Sequence, residues 1–520
     1  MRQRACYNRL MTRTSAKKPA RRFHMRPTSA LRIPGRLRVL QLAVLLLTLV
    51  LVVRLGYLQI VQHGFYTALA SGQRDLYLEL FPERGSVFVM DRGQEVPIAT
   101  NRYFNLIWAE PRAVDAPVRT AQVLDELLPM APEEDIAPLA EPVETSDADV
   151  LRANAEQTRY LRILAQLSKD DDPYEPIERK VSDEAARDIE RAHLSGIHIL
   201  KERFRFYPEG EAFAHVTGFV SPSDDGVPSG KYGVEGFFDT VLAGSGGYRF
   251  QERDAHGRWI GVGARRIEPA QNGPDVILTM DRAVQFVACG LLKEAVELYE
   301  ADRGSLVILN PKNGNVIAMC GAPTYDPNVY NEVESIEVYN NQTTFVAYEP
   351  GSVFKPLVMA AAIDLNVVSP TDFFEDTGEV NIDRFTIHNS DLKAHGWVSM
   401  TEILQQSLNT GMIHVMRQMG GPQMARFIRA FGFGERLGIE LDTEVAGTID
   451  ALDKDSEIFY ATASYGQGVT VTPLQLAAAY GALANNGLYI TPRIVSEIRY
   501  RDGIVERPAI ESRQVVSPKT

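Results

Sequence analysis

Tyr348-Glu349-Pro350-Gly351-Ser352-Val353-Phe354-Lys355-Pro356 sets a serine three residues before a lysine at the expected start of a helix. Positions i and i+3 share a helix face, so the lysine amine can stand beside the serine oxygen. A neutral amine there can take the hydroxyl proton and turn a weak nucleophile into one that attacks an acyl carbon. Two features favour the neutral form: the positive end of the helix dipole, and the apolar run from Pro356 to Ile363 that predicts a buried helix. The tetrapeptide by itself also fits a solvated helix turn.

Fifty-five residues further on, Gln406-Ser407-Leu408-Asn409-Thr410-Gly411 reads as the end of an amphipathic segment entering a loop. Its second hydroxyl can relay a proton between the lysine and a leaving group. Its carboxamide can donate to a substrate carbonyl and accept from the lysine. Serine and asparagine also favour plain polar turns. The two motifs together match an acyl-serine transferase pattern whose third member is a Lys-Thr-Gly strand.

Further motifs stand in order along the chain. They are Arg84-Gly85-Ser86-Val87 with Asp91-Arg92-Gly93, Arg205 to Gly210 with His215 to Val220, and Glu252 to Arg258. Leu278-Thr279-Met280-Asp281, Asn310 to Gly314, and Tyr465-Gly466-Gln467-Gly468 with Thr472-Pro473-Leu474-Gln475-Leu476 follow. From residue 54 to the end the chain resembles the class B penicillin-binding proteins, in particular the division-type (FtsI-like) peptidoglycan D,D-transpeptidases. The resemblance implies an α+β protein: a single transmembrane helix, a β-rich pedestal, and a serine acyl-transferase domain of the β-lactamase/transpeptidase kind, with an antiparallel sheet flanked by helices. It implies Ser352 as nucleophile, Lys355 as general base, Ser407 as proton relay and Asn409 as the side chain that orients the substrate amide. Peptidoglycan stem peptides would be the substrate, and β-lactams would acylate Ser352 as mimics. A membrane-embedded glycosyltransferase of the FtsW type and other division proteins would be partners, during septal wall synthesis. A D,D-carboxypeptidase or β-lactamase-type hydrolase, and a noncatalytic β-lactam sensor or division scaffold, stand as alternatives.

Composition agrees with such an organisation. A chain of 520 residues with 45% hydrophobic content suggests two or three globular domains. Residues 1–38 hold 12 Lys or Arg and no acid; the remainder has 42 basic against 67 acidic residues, a net of −25. A basic arm can bind nucleic acid. The apolar stretch that follows at once favours a cytoplasmic tail ahead of an uncleaved membrane anchor, expected over 39–61. The uncharged core from Val39 to Val53 is somewhat short of the roughly 20 residues a span needs, and extension to Val61 takes in Arg54, which must snorkel. A cleaved signal peptide ending at Ala68-Leu69-Ala70 is the competing reading, but that site lies far beyond the apolar core. The positive-inside rule then places the N-terminus in the cytoplasm and the rest outside the inner membrane.

The pedestal is expected over 62–270, with strands at Ser86–Met90 and Phe104–Trp108, a helix over 182–193 and a flexible acidic insertion at 129–150. The catalytic domain is expected over 275–520, with a helix over 281–300 and a hairpin of 305–309 and 315–319 around Pro311-Lys312-Asn313-Gly314. Thr472, Pro473 and Gln475 form an expected capping box opening a helix to about Asn485, with Gly487 past its end. Gly230-Lys231 lacks the spacing of a phosphate loop and reads as a surface loop. No metal or cofactor is called for. Cys289 and Cys320 read as small buried hydrophobes, with a disulfide between them left open. No Lys-Thr-Gly strand is found: Lys519-Thr520 follows Pro518, which a central strand does not tolerate, so the chain reads as truncated before that strand.

Overall fold

The computed structural model describes residues 35–61, 75–128, 148–169, 172–223, 227–252, 265–454 and 456–520. Val87-Phe88-Val89-Met90-Asp91 alternates as a half-buried strand should, with Val87 and Val89 turned into the core. Arg92 and Gly93 both take positive φ, at 51° and 83°. That is the two-residue hairpin turn whose twist matches the flanking strands, and the chain returns along Gln94–Ala109.

The largest sheet runs in the order Val505–Glu506, Val495–Arg499, Asp275–Asp281, Val87–Asp91, Gln94–Ala109, Glu175–Val181, with Ile197–Phe206 also paired to Gln94–Ala109. Asp275–Asp281 lies parallel to Val87–Asp91 and the other pairings are antiparallel. The sheet is therefore mixed, and it draws strands from both sides of residue 275. One hydrophobic core follows from that topology, joining Val87, Val89 and Phe213 to Val316, Leu474 and Ile494. Glu235 is fully buried between Arg84 (2.6 Å) and Arg205 (2.6 Å), and Arg84 also reaches Asp239 (2.7 Å). Two quoted arginine motifs thus meet on one carboxylate.

Local signals decide the helices. Ser182 caps Asp183–Arg191 by accepting from Ala185 N–H, and Asp281 caps Arg282–Leu298 by accepting from Val284 N–H. Gly304–Leu309 and Val316–Ala322 form the expected antiparallel hairpin. Thr472 and Gln475 make both bonds of the capping box over Pro473–Ala484, and Gly487 follows at φ 77°. Gly230-Lys231 is a correction. It lies on the strand Pro228–Lys231, paired to Phe219–Pro222, because Asp239 Oδ1 accepts from Gly230 N–H at 2.7 Å and draws this segment inward. Residues 129–147 of the acidic insertion lie outside the described residues, as do 1–34 and Ala68–Ala70; the helix Ala148–Leu167 takes the insertion's last three positions.

Cys289 and Cys320 are joined by a disulfide that ties the helix Arg282–Leu298 to the strand Val316–Ala322, 31 residues apart. A loop of that size constrains the unfolded chain. Reduction, or replacement of both cysteines by serine, is expected to lower unfolding free energy by about 2–5 kcal/mol, as read by denaturant titration with and without reductant.

The helix Gly35–Gly56 belongs to a separate unit of the chain and is followed by a π-helical turn, Tyr57–Val61. Among the described residues no helix is both long and apolar enough to cross a membrane. The segment expected over 39–61 is thus met as a helix, and a membrane span is not shown.

Candidate active site

Pro350 and Gly351 shape the turn that carries Ser352. Pro350 sits at φ −69° and Gly351 at φ 61°, a conformation that favours glycine. The chain then enters a 3₁₀ turn, Gly351–Phe354, closed by Lys355 N–H donating to Ser352 O. In a 3₁₀ turn i and i+3 eclipse, which brings the stems of Ser352 and Lys355 over one another more tightly than an α-helix would. Ser352 is exposed, and its N–H lies in the first turn, where backbone donors lack intrahelical acceptors and can face an incoming oxyanion. The helix Lys355–Asp364 carries Pro356 in its first turn, and the apolar run between its charged ends is buried on nearly every side.

Lys355 is 1% exposed. Its Nζ donates to Ser407 O (2.7 Å), approaches Ser407 Oγ at 3.0 Å and donates to Asn409 Oδ1 (2.9 Å). Burial pulls its pKa down to about 8. Ser407 follows the short helix Met400–Gln405 and takes φ 58°, a left-handed conformation costly for a side chain. That turn is what lets its carbonyl and hydroxyl address Nζ together. Asn409, expected in a loop, is instead the first residue of the helix Asn409–Met419. Its Nδ2 donates to His388 O at 3.0 Å, so its Oδ1 faces Lys355.

The turn that carries Ser352 is strapped to a second segment. Tyr348 and Val471 exchange backbone bonds (3.0 and 2.9 Å), Gly351 N–H donates to Gly466 O (2.9 Å), and Gly468 N–H donates to Glu349 Oε1 (2.8 Å). Tyr480 Oη donates to Val353 O at 2.6 Å. The paired glycines of Tyr465–Gly468 were a legible signal of close backbone approach. Nothing in the sequence marks Tyr480. Lys519 and Thr520 lie in a turn rather than a strand, with Thr520 Oγ1 (2.9 Å) and Ser517 N–H (2.7 Å) both donating to Asp364 at the end of the helix Lys355–Asp364.

A buried lysine thus joins an exposed serine turn to a Ser-x-Asn pair, an arrangement with the chemistry that serine acyl transfer needs. Residues 304–520 match the penicillin-binding protein transpeptidase domain and residues 79–278 the penicillin-binding protein dimerisation domain. Stage V sporulation protein D of Bacillus subtilis is 31% identical over 479 residues, 91% of this chain and 69% of that protein. Peptidoglycan D,D-transpeptidase FtsI of Escherichia coli is 31% identical over 315 residues, 60% of this chain, which spans about half (51%) of that relative. Penicillin-binding protein 2X of Streptococcus thermophilus shares the fold at TM-score 0.64 and 20% identity, covering 85% of this chain and 64% of that one. Penicillin-binding protein 3 of Mycobacterium tuberculosis, solved with aztreonam, aligns at TM-score 0.54 and 29% identity over 61% of this chain and 67% of that one. The chain belongs to the penicillin-binding proteins that carry a dimerisation domain and a transpeptidase domain.

Proposed function

We propose that this chain is a membrane-anchored peptidoglycan D,D-transpeptidase that cross-links stem peptides through an acyl-serine intermediate during septal wall synthesis. The observation that carries the reading is the placement of the buried Lys355 Nζ against Ser407 Oγ and Asn409 Oδ1, three residues beyond Ser352. Neutral Lys355 accepts the Ser352 hydroxyl proton as Oγ bonds to the penultimate D-alanine carbonyl carbon, and the carbonyl oxygen takes the negative charge facing the Ser352 N–H. Collapse of that intermediate breaks the peptide bond. The leaving D-alanine amine takes a proton passed from Lys355 through Ser407. An amine of a neighbouring stem then attacks the ester, gives up its proton along the same path, and releases Ser352 with the cross-link made. Asn409 orients the donor peptide.

The anchor rests on the exposed Leu and Val side chains along Leu42–Val53 of the helix Gly35–Gly56 and on the 12 basic residues within positions 1–38. It places the catalytic part outside the inner membrane, beside the lipid-linked or nascent glycan and a membrane-embedded glycosyltransferase of the FtsW type. The disulfide suits an oxidising compartment. Intact mass after incubation with a β-lactam tests the reading. A stoichiometric adduct absent from Ser352→Ala is expected, and an adduct that persists in Ser352→Ala would falsify it.

A further inference from the structure

Next to the Lys355, Ser407 and Asn409 set lies a second, wholly buried polar cluster that no motif marks. Asp376 and Asn389 are each 1% exposed and Thr410 is 0% exposed. Asp376 Oδ1 accepts from the Thr410 hydroxyl (2.7 Å) and Gly378 N–H (3.0 Å), and its Oδ2 from Asn389 Nδ2 (2.8 Å) and His395 N–H (3.0 Å). Burial pushes this carboxyl up, and the donors outweigh burial and hold it below its ordinary range. Burying an ionised carboxylate for packing alone is poor economy, since an apolar group of like shape is often as stable or more so. The arrangement therefore calls for another explanation.

Its members flank the contact that orients Asn409. Thr410 directly follows Asn409, and Asn389 directly follows His388, whose carbonyl accepts from Asn409 Nδ2. Asn389 Oδ1 accepts from Thr410 N–H at 3.2 Å, clamping the two segments together one residue beyond that contact. A carboxamide has two ends of nearly equal shape, and a flipped Asn409 would aim an N–H₂ at Lys355 Nζ in place of an acceptor. His388 O, which can only accept, fixes the N–H₂ end and so leaves the oxygen end facing Lys355 Nζ.

We propose that the Asp376, Asn389 and Thr410 cluster sets the orientation of the Asn409 amide, which makes Asp376 and Thr410 positioning residues for acyl transfer at Ser352. The inference rests on the proposed acyl-serine function. It is tested on the full chain in detergent with a fluorescent penicillin, whose concentration dependence separates reversible binding from the maximal acylation rate. Thr410→Val removes the hydroxyl and keeps the shape. The maximal rate is expected to fall roughly 10- to 100-fold, as for other small misplacements of a catalytic group, with reversible binding and thermal midpoint little changed. Thr410→Ser restores it. Asp376→Asn puts a donor against Asn389 or Thr410 and is expected to act in the same direction, which keeps the comparison available if Thr410→Val does not fold. A wild-type maximal rate in folded Thr410→Val or Asp376→Asn overturns the proposal, and so does a loss that Thr410→Ser fails to restore. Absence of any Ser352-dependent adduct in the wild type is a different result, and it removes the acyl-serine reading together with the inference built on it.

Discussion

Replacing Lys355 by methionine is expected to slow acylation of Ser352 by about 10³- to 10⁴-fold while leaving the protein folded, and to make it more stable at neutral pH. The rate loss is that of a general base. The stability gain follows from burial: Lys355 is almost fully enclosed, and its amine is held in place by acceptors while its charge is poorly solvated. Burial lowers its pKa from 10.5 to about 8. The unfolded chain therefore binds more protons than the folded one between those values, and wild-type stability should rise as pH goes from about 8 to 10.5. Lys355→Met should lose that rise. Acylation by the wild type should climb with pH through a midpoint near 8, as the amine becomes neutral. Stopped-flow acylation and denaturant titration across this range check both signs. A flat rate profile, or a variant less stable than wild type at pH 7, would contradict the assignment.

The second large effect is expected at Gly466. A Cβ built there lies 2.1 Å from Gly351 O and 2.7 Å from Gly351 N, against the backbone of the residue before Ser352, and Gly466 itself has φ 82°. No flexible side-chain end can move aside. Gly466→Ala is expected to cost about 2–5 kcal/mol, combining left-handed strain with backbone overlap. Because the displaced atoms belong to the turn that carries Ser352, acylation should fall roughly 100-fold even in the folded fraction. Gly503, also at positive φ (90°) but with open space around it, serves as the control. Gly503→Ala should show the strain and leave acylation unchanged. Equal acylation in the two variants would mean that Gly466 does not hold the turn.

Much of the site was legible because its chemistry is local. Ser352 and Lys355 are one helical turn apart, and Ser407 and Asn409 share a pentapeptide, so residue type and spacing sufficed to select them. The capping box at Thr472 and the hairpin around Pro311–Gly314 were legible for the same reason: each is settled by bonds between near neighbours. The 3₁₀ character of the turn that carries Ser352 and the helical start at Asn409 were not, since boundary residues depend on what packs around them. Gly230 was misread because its fate turns on Asp239, nine residues away and an ordinary acid by sequence.

The sequence by itself determined that Ser352 and Lys355 share one turn, that a Ser-x-Asn motif follows them, the order of the elements and an apolar helix behind a basic arm. These rest on periodicity, turn chemistry and short spacings, which one stretch of chain carries unaided. Tertiary structure alone decided that Val495–Arg499 pairs with Asp275–Asp281 in the same sheet as Val87–Asp91, because alternation tells a strand which face to bury and not which partner to choose. It also decided that Asp376 and Asn389 gather beneath Asn409 and that Tyr480 reaches Val353. Such contacts join residues of common type across tens to more than a hundred positions. For the Asp376 and Asn389 contacts that energy appears only when the folded chain excludes water and leaves the buried polar atoms protein partners alone.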